Sequence, residues 1–320
     1  YGSRGANGII MITTKKGVDG PTKFSYNTYI GFKDVPANDY LSSPSEWNQY
    51  VRANNGGELT EKLQYIEQFG NYTNWEDVMF DGGMITSNAI SAKGGNKNTK
   101  FTASVNHMND QGVLLTDNYE KLNFRINLTT KLRERIQFGV NLNPSHTEQV
   151  RFPIGVHDAV RQASWQPLYL DESNIDYVNR YRENGRWADA NIGDYAMERM
   201  FDDYDLANGM PDANSSGTDI STTSNQGSLA KVLERDRRKF QTKVYANTFL
   251  KVNLNENLFF KQTFGGDFRF TKNREFFGVE ATRNGARDSR SNRSSSVRWH
   301  SVSESTLNFS KEFGSQSINA

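Results

Sequence analysis

The chain has 320 residues, 38 of them basic and 37 acidic, for a net charge of +1; a balance this even offers nucleic acid no bulk attraction. It contains no cysteine, which excludes disulfides, thiolate metal sites and cysteine nucleophiles. Mean hydropathy is −0.75 and no apolar run approaches the ~18–20 residues of a membrane helix, which excludes helical spans but not a β-barrel, whose strands alternate apolar and polar residues. The 20 Phe and 14 Tyr against 7 Pro favour strands.

The chain opens with YGSRGANGIIMITTKKG. Glycines at 2, 5 and 8 give turn chemistry, and the apolar run at 9–14 suits a strand covered on both faces. This is not a phosphate loop. The glycines precede the strand, and neither the dinucleotide fingerprint nor a Gly-Lys-Ser/Thr ending follows. No signal peptide is visible, and a chain lacking its true start would show none.

The stretch TKFSYNTYIGF alternates, with Phe24, Tyr26, Thr28, Ile30 and Phe32 on one face, and reads as a strand. Ser43-Pro44 with Glu46 marks a helix start, and Gly56-Gly57 its stop. A second helix is expected over 58–70, with Leu59, Leu63, Ile66 and Phe69 on one stripe, and a short helical turn at TNWEDVMF. From Thr86 onward strands come in pairs. A Gly-Gly-Asn turn joins the first pair. In the next pair, Leu122, Phe124, Ile126 and Leu128 oppose Asn123, Arg125 and Asn127, and Ile136, Phe138, Val140 and Leu142 oppose Gln137, Gly139, Asn141 and Asn143.

The polar face of these strands is the informative one. In a soluble sandwich it meets water while the apolar face meets another sheet. In an outer-membrane barrel the apolar face meets lipid and the polar face a wet lumen. Alternation alone does not separate the two, but length and loops do. The runs of 11–18 residues exceed the roughly 5–6 of soluble strands and suffice for the roughly 9–11 that cross a bilayer. Very short connections alternate with long ones, the outer-membrane pattern. The longest excursion covers about 150–234, with a short helix at HDAVRQAS, an aromatic-acidic stretch and a polar tail. Three more strands follow, within 238–253, 257–273 and 295–314. The basic, Ser-rich segment 279–296 reads as a solvated loop.

With these parts assembled, YGSRGANGIIMITTKKG resembles the segment that closes the plug domain of SusC/RagA-type TonB-linked outer-membrane proteins, and FSYNTYIGF is similar to that family's first barrel strand. The stretch SNAISAKGGNKNTKFTASVNHMNDQGVLLTDNYEKLNFRINLTTKLRERIQFGVNLN resembles its early hairpins. The likeness is close over 1–145 and loose beyond; the long excursion carries no motif of it. It implies an all-β fold with short helical excursions, an incomplete part of a transmembrane antiparallel barrel of about 22 strands. Residues 1–17 would end the plug, with Tyr1, Gly2, Ser3, Arg4, Gly5, Ala6, Asn7 and Gly8 as its closing motif. Residues 22–320 would be the N-terminal barrel, about eight strands. The chain would then be a fragment, with its signal peptide, most of the plug and the later strands outside it. The implied function is TonB-dependent import of glycans or peptides across the outer membrane of a Gram-negative, Bacteroidetes-like bacterium. The implied partners are the TonB energising complex (its contact segment absent here), a SusD-like lipoprotein lid, the ligand and outer-membrane lipid. No nucleic acid, cofactor or enzymatic activity is implied. The alternative is a soluble or surface-attached β-rich adhesin.

Little else carries chemistry. His107, His146, His157 and His300 lack ligand spacing, and His107 reads as a wall residue. DANSSGTD at 212–219 has partial calcium-loop character, but Thr223 stands where the twelfth-position Glu belongs. No Gly-x-Ser-x-Gly or His-Glu-x-x-His motif occurs. Trp165, Tyr169, Trp187 and Tyr195 are the ligand-binding candidates, since aromatic faces hold sugars and peptides; they could equally pack the excursion onto itself, as could Trp47 and Trp75. Phe124, Phe138, Phe240 and Phe309 read as lipid-face residues.

Overall fold

The computed structural model describes residues 17–36, 42–54, 56–59, 64, 67–70, 72–160, 162–179, 189–197, 200–201, 204–205, 210–211, 227–281, 289–313 and 316–319. The opening motif at 1–8, the strand expected at 9–14, residues 60–63, 65 and 66 of the helix expected over 58–70, and the 212–219 stretch lie outside them.

In chain order the elements are β1 (Gly20–Lys33), α1 (Pro44–Asn54), α2 (Trp75–Met79), β2 (Gly83–Gly95), β3 (Thr99–Gln111), β4 (Asn118–Arg133), β5 (Ile136–Val150), α3 (Val156–Val160), α4 (Ile175–Asn179), β6 (Tyr204–Asp205), β7 (Met210–Pro211), α5 (Ser228–Leu233), β8 (Arg235–Asn253), β9 (Leu258–Phe277), β10 (Arg290–Phe313) and β11 (Gln316–Asn319). All strands except β6 and β7 form one antiparallel sheet in the order β1-β2-β3-β4-β5-β8-β9-β10-β11, each strand beside its neighbour in sequence. Among the described residues β1 and β11 stand at its edges, so the sheet does not close on itself.

Turn chemistry sets the two rims apart. At one rim, β2 and β3 meet where the Asn96 side chain accepts from the N–H groups of Asn98 (2.9 Å) and Thr99 (2.8 Å). Residues 134–135 join β4 to β5, and Asn255 Oδ1 accepts from the Asn257 N–H at 2.8 Å between β8 and β9. All three are local side-chain-to-backbone or minimal turns. At the other rim the connections cover 34–82, 112–117, 151–234 and 278–289.

Register sorts the side chains. Residues paired across antiparallel strands share a face, so Tyr26, Ile90, Val105 and Phe124 lie together. The same face carries Phe138, Phe240, Phe264, Phe268, Trp299 and Phe309. No residue among them is buried, and at the sheet's two sides the face is bare: Phe32, also on it, is 83% exposed, Phe24 77% and Trp299 75%. The opposite face holds Asn123, Arg125, Asn127, Asn141, Asn143, Lys243 and Arg269. Neither face is covered by a second layer. Except for Phe277 at the end of β9, every buried apolar side chain among the described residues lies in an excursion. A water-soluble sandwich covers one face of each sheet; this sheet presents an apolar face to lipid instead.

The apolar band has membrane height. On β9 it runs from Leu258 to Phe270, interrupted by Gln262, whose side chain hydrogen-bonds Ser303 and Ser305 of β10, and gives way to Lys272 and Arg274 on the same face. Those steps of ~3.3 Å make about 40 Å of strand. At a tilt of about 40° they rise about 30 Å, the thickness of the hydrocarbon layer.

One expectation fails. Residues 290–294 are not loop but the start of β10, with Arg290 opposite Phe277 and Ser294 opposite Asn273. This part of the strand continues past the apolar band, where both faces are wet, so its composition loses the alternation that marks a strand. The remaining strands lie where the alternation places them, and α3 is shorter than the helix expected over 157–164.

Depth in the band makes a prediction. The outward-facing residues of β4 are apolar from Leu122 to Leu132 save Thr130, with Glu120 above them, so Leu128 lies near mid-band and Leu122 at its upper border. In the full-length protein Leu128→Arg should cost about 2–4 kcal/mol and Phe124→Arg, one pair below the border, distinctly less. Urea titration of the folded, heat-modifiable species measures both, and equal costs contradict the assigned depths.

Candidate functional site

The long-rim excursions fold into a cap with a core of its own. The first excursion enters at α1 through a capping box: the Ser43 N–H donates to Glu46 Oε2 at 2.8 Å, and the Glu46 N–H returns to Ser43 Oγ at 3.3 Å. The Ser43 N–H and the Ser43 hydroxyl, both donating to Glu46 Oε2, lower the Glu46 carboxyl from its ordinary value. Gly56, at φ +70°, permits the turn that ends α1. Its far end is tied to the second excursion. Thr73 N–H donates to Ser164 O (2.7 Å), Thr73 Oγ1 to Gln166 O (2.7 Å) and Trp75 Nε1 to Ala163 O (3.1 Å). Gln166 Nε2 in turn donates to Ala196 O at 2.9 Å.

Two apolar clusters fill the cap. One gathers Trp165, Leu170, Tyr177, Val178, Met197 and Phe201, with Trp47 and Phe69 packed against it. The other gathers Trp75, Met79, Ala159, Leu229 and Val232, with Tyr195 against it. An Asx turn leads into α4: Asp171 Oδ1 accepts from the N–H of Ser173 and the amide of Asn174, both at 2.8 Å.

The four aromatic candidates separate here. Trp165 is 4% exposed, with its ring edge-on to Phe201 at 5.5 Å, and no open face is left for a ligand. Trp187 lies outside the described residues. Tyr169 and Tyr195 come together: their rings are 5.4 Å apart at 30°, and their backbones form a β-bridge. The bridge is extended by Leu170 N–H to Asp194 O (2.8 Å) and Ala196 N–H to Leu168 O (3.1 Å), with the chain reversing at Gly193, φ +92°. Tyr169 is 43% exposed. Burial, then the nearby charges of Glu234, Tyr169 and Glu280, push the Tyr195 hydroxyl up, so it stays protonated at neutral pH. The pair offers one ring face and a phenolic donor beside the ends of β8 and β9. Nothing in sequence signals this pairing, because it depends on a reversal 26 residues long. The same is true of Phe277, whose ring carries the guanidinium of Arg235 at 4.5 Å and that of Arg290 at 4.4 Å.

Below the cap, the polar wall is cationic where Lys243, Arg269 and Arg298 stand opposite one another on three strands. His300 meets Asp267 at 3.3 Å on the same wall. His107 pairs with Glu120 at 2.7 Å on the outer face, a wall position, and no group of three metal-ligating side chains occurs among the described residues.

The sequence has kin. Over 129 residues it is 32% identical to the TonB-dependent receptor SusC of Bacteroides thetaiotaomicron, 40% of this chain and 12% of that protein. Over 181 residues it is 26% identical to the TonB-dependent receptor P26 of Formosa agariphila, 55% of this chain and 18% of that one. The structure of the RagAB peptide transporter superposes on 98% of the chain and 36% of its own, with a TM-score of 0.70 at 14% identity. The RagAB peptide importer in its closed-closed state superposes on the whole chain with a TM-score of 0.64 at 16% identity. No family model matches. Over the matched part the chain is similar to SusC and other TonB-dependent receptors, and its fold is that of the corresponding part of the RagAB chains. It spans about an eighth of the curated relative SusC and about a third of the RagAB chains.

Two predictions follow from the cap. Trp165→Ala should cost about 3–5 kcal/mol of cap stability, a large-to-small change in a closed core. Tyr169→Ala should cost under about 1 kcal/mol. Hydrogen exchange of the cap amides distinguishes them, and equal losses would remove Trp165 from the core.

The second concerns Asp117, in the 112–117 connection. Burial outweighs the Phe152 N–H bond and pushes its carboxyl up. A raised folded-state value makes its contribution fully present below the unfolded-state value and lost as pH rises through the folded one. Asp117→Asn should therefore increase protection of the 112–117 amides at neutral pH and flatten its dependence across the carboxylate range. A protection factor that falls at neutral pH contradicts this.

Proposed function

We propose that the full-length protein is a TonB-dependent importer in the outer membrane of a Bacteroidetes-like bacterium, a transporter rather than an enzyme, taking up glycans or peptides. The observation that carries the reading is the uncovered two-faced sheet: a bare apolar band of membrane height outside, a polar wall inside, and folded loops on one rim only. The receptor names of the curated relatives and the peptide-importer name of the RagAB structures support it. We read residues 1–17 as the end of the plug and 22–320 as barrel. The adhesin reading is disfavoured because it leaves the apolar face of the sheet without a cover.

The 150–234 excursion is the part we assign to ligand and to a SusD-like lipoprotein lid. Tyr169 and Tyr195 are its aromatic contact, and its mixed charge suits an interface with a polar rim. TonB would supply the energy through a segment outside this chain.

Fractionation of the native host tests the location: the protein should stay with the outer membrane until detergent is added. Release by salt alone supports the adhesin instead. Deleting 212–226 in the full-length protein leaves Met197, Met200 and Phe201 in the cap core. It should weaken co-purification of the lid and uptake while the barrel stays inserted. Unchanged lid binding together with unchanged uptake would remove the excursion from function.

A further inference from the structure

The outer face carries a row of cations where lipid headgroups begin. Register sets Arg274 of β9 directly between Arg238 of β8 and Arg293 of β10. Lys272 lies one pair below, opposite Phe240 and Ser295. Below that the face turns apolar, with Phe270 level with Val297, and Phe268 level with Trp299. Exposed aromatics directly beneath cations mark the interface between hydrocarbon and headgroups. The rim is the one with the long connections, so this is the outer leaflet if the import reading holds.

Like charges placed directly opposite on a sheet are unfavourable, and one of the three arginines is neutralised within the chain. Arg238 Nε lies 2.7 Å from Asp236 Oδ1, and its Nη1 lies 3.1 Å from Glu148 Oε1. No carboxylate is left over for the others: among the described residues Lys272, Arg274 and Arg293 have no ion pair. Elsewhere, opposed lysines are relieved in another way. Lys251 faces Lys261, and each ammonium sits over a phenylalanine ring, at 3.8 Å from Phe259 and 5.1 Å from Phe249. A cleft of about 250 Å³ opens between Arg274 and Arg293, lined also by Asp236, Glu275, Phe276 and Ser291. With Asp236 spent on Arg238, the free donors at the cleft are two guanidinium groups and a serine hydroxyl.

We propose that this cleft holds a phosphate group of an outer-leaflet glycolipid, gripped by Arg274 and Arg293 with Lys272 beside them. Guanidinium groups form paired, charge-assisted hydrogen bonds to phosphate. The acyl chains of the lipid would then lie along Phe268, Phe270, Val297 and Trp299. Position selects a lipid over a soluble anion, because the cleft opens outward above the apolar band and away from the lumen. This inference rests on the outer-membrane reading.

The test uses full-length protein in nanodiscs containing native lipopolysaccharide or the same material after enzymatic dephosphorylation, with retained glycolipid read by native mass spectrometry. Wild type should retain the phosphorylated form at least about tenfold better than the dephosphorylated form. Arg274→Gln with Arg293→Gln should abolish that preference while the barrel stays folded, judged by heat-modifiable migration. Arg274→Lys with Arg293→Lys should restore part of it. Equal retention of both lipids by wild type, or an unchanged preference in the double Gln variant, overturns the proposal. So does Arg274-dependent binding of inorganic phosphate with no lipid preference, which assigns the cleft to a soluble anion. Absence of the protein from the outer membrane on fractionation counts against the import reading itself, whatever the lipids do.

Discussion

The structure depends on where the strands spend their backbone hydrogen bonds. Each long strand pairs with its sequence neighbour along its whole length, so the N–H and C=O groups are satisfied sideways, within the sheet. That leaves the faces free of any packing duty. One can be given wholly to lipid and the other to polar chemistry, provided that period two is kept without a slip. A one-residue slip would put Arg125 and Arg269 in hydrocarbon and Phe124 and Phe268 in the lumen. The register between β5, β8 and β9 is unbroken for this reason, and the irregularities in pairing among the described strands sit near strand ends, at Gly20/Lys23 and Lys131/Arg133.

A sheet without a core needs its folding specificity from elsewhere, and the cap supplies a second, independent packing unit. Its clusters are built from segments distant in sequence, 72–79 with 159–166 and 195–201. Tyr169 and Tyr195 are held by the β-bridge between their backbones, with Tyr195 packed against the Trp75 cluster. Below the cap the wall is cationic at Lys243, Arg269 and Arg298.

The barrel strands were legible in sequence because water on one face and lipid on the other impose alternation, and alternation is local. Leu122 to Leu128 could be sorted by eye. The first five residues of β10 could not, because Arg290, Ser291 and Asn292 lie above the bilayer, where nothing forces a difference between faces. The cap was legible only as helices and aromatics. Trp165, Tyr169 and Tyr195 look alike in sequence, yet the fold buries the first and pairs the other two. That outcome depends on Gly193 and on hydrogen bonds from Thr73 and Trp75, more than 80 residues away. The cation row at Arg238, Arg274 and Arg293 was equally hidden, since it exists only across three strands.

The claim on which everything rests is that the two faces of the sheet meet different solvents. Single cysteines placed along β9 of the full-length protein in native outer membranes test it directly. Positions 263, 267 and 269 should react with a water-soluble maleimide and resist a lipid-phase quencher, while 264, 268 and 270 should do the reverse. A smooth profile without alternation, or labelling of 264 and 268 from water, would contradict a membrane-spanning wall.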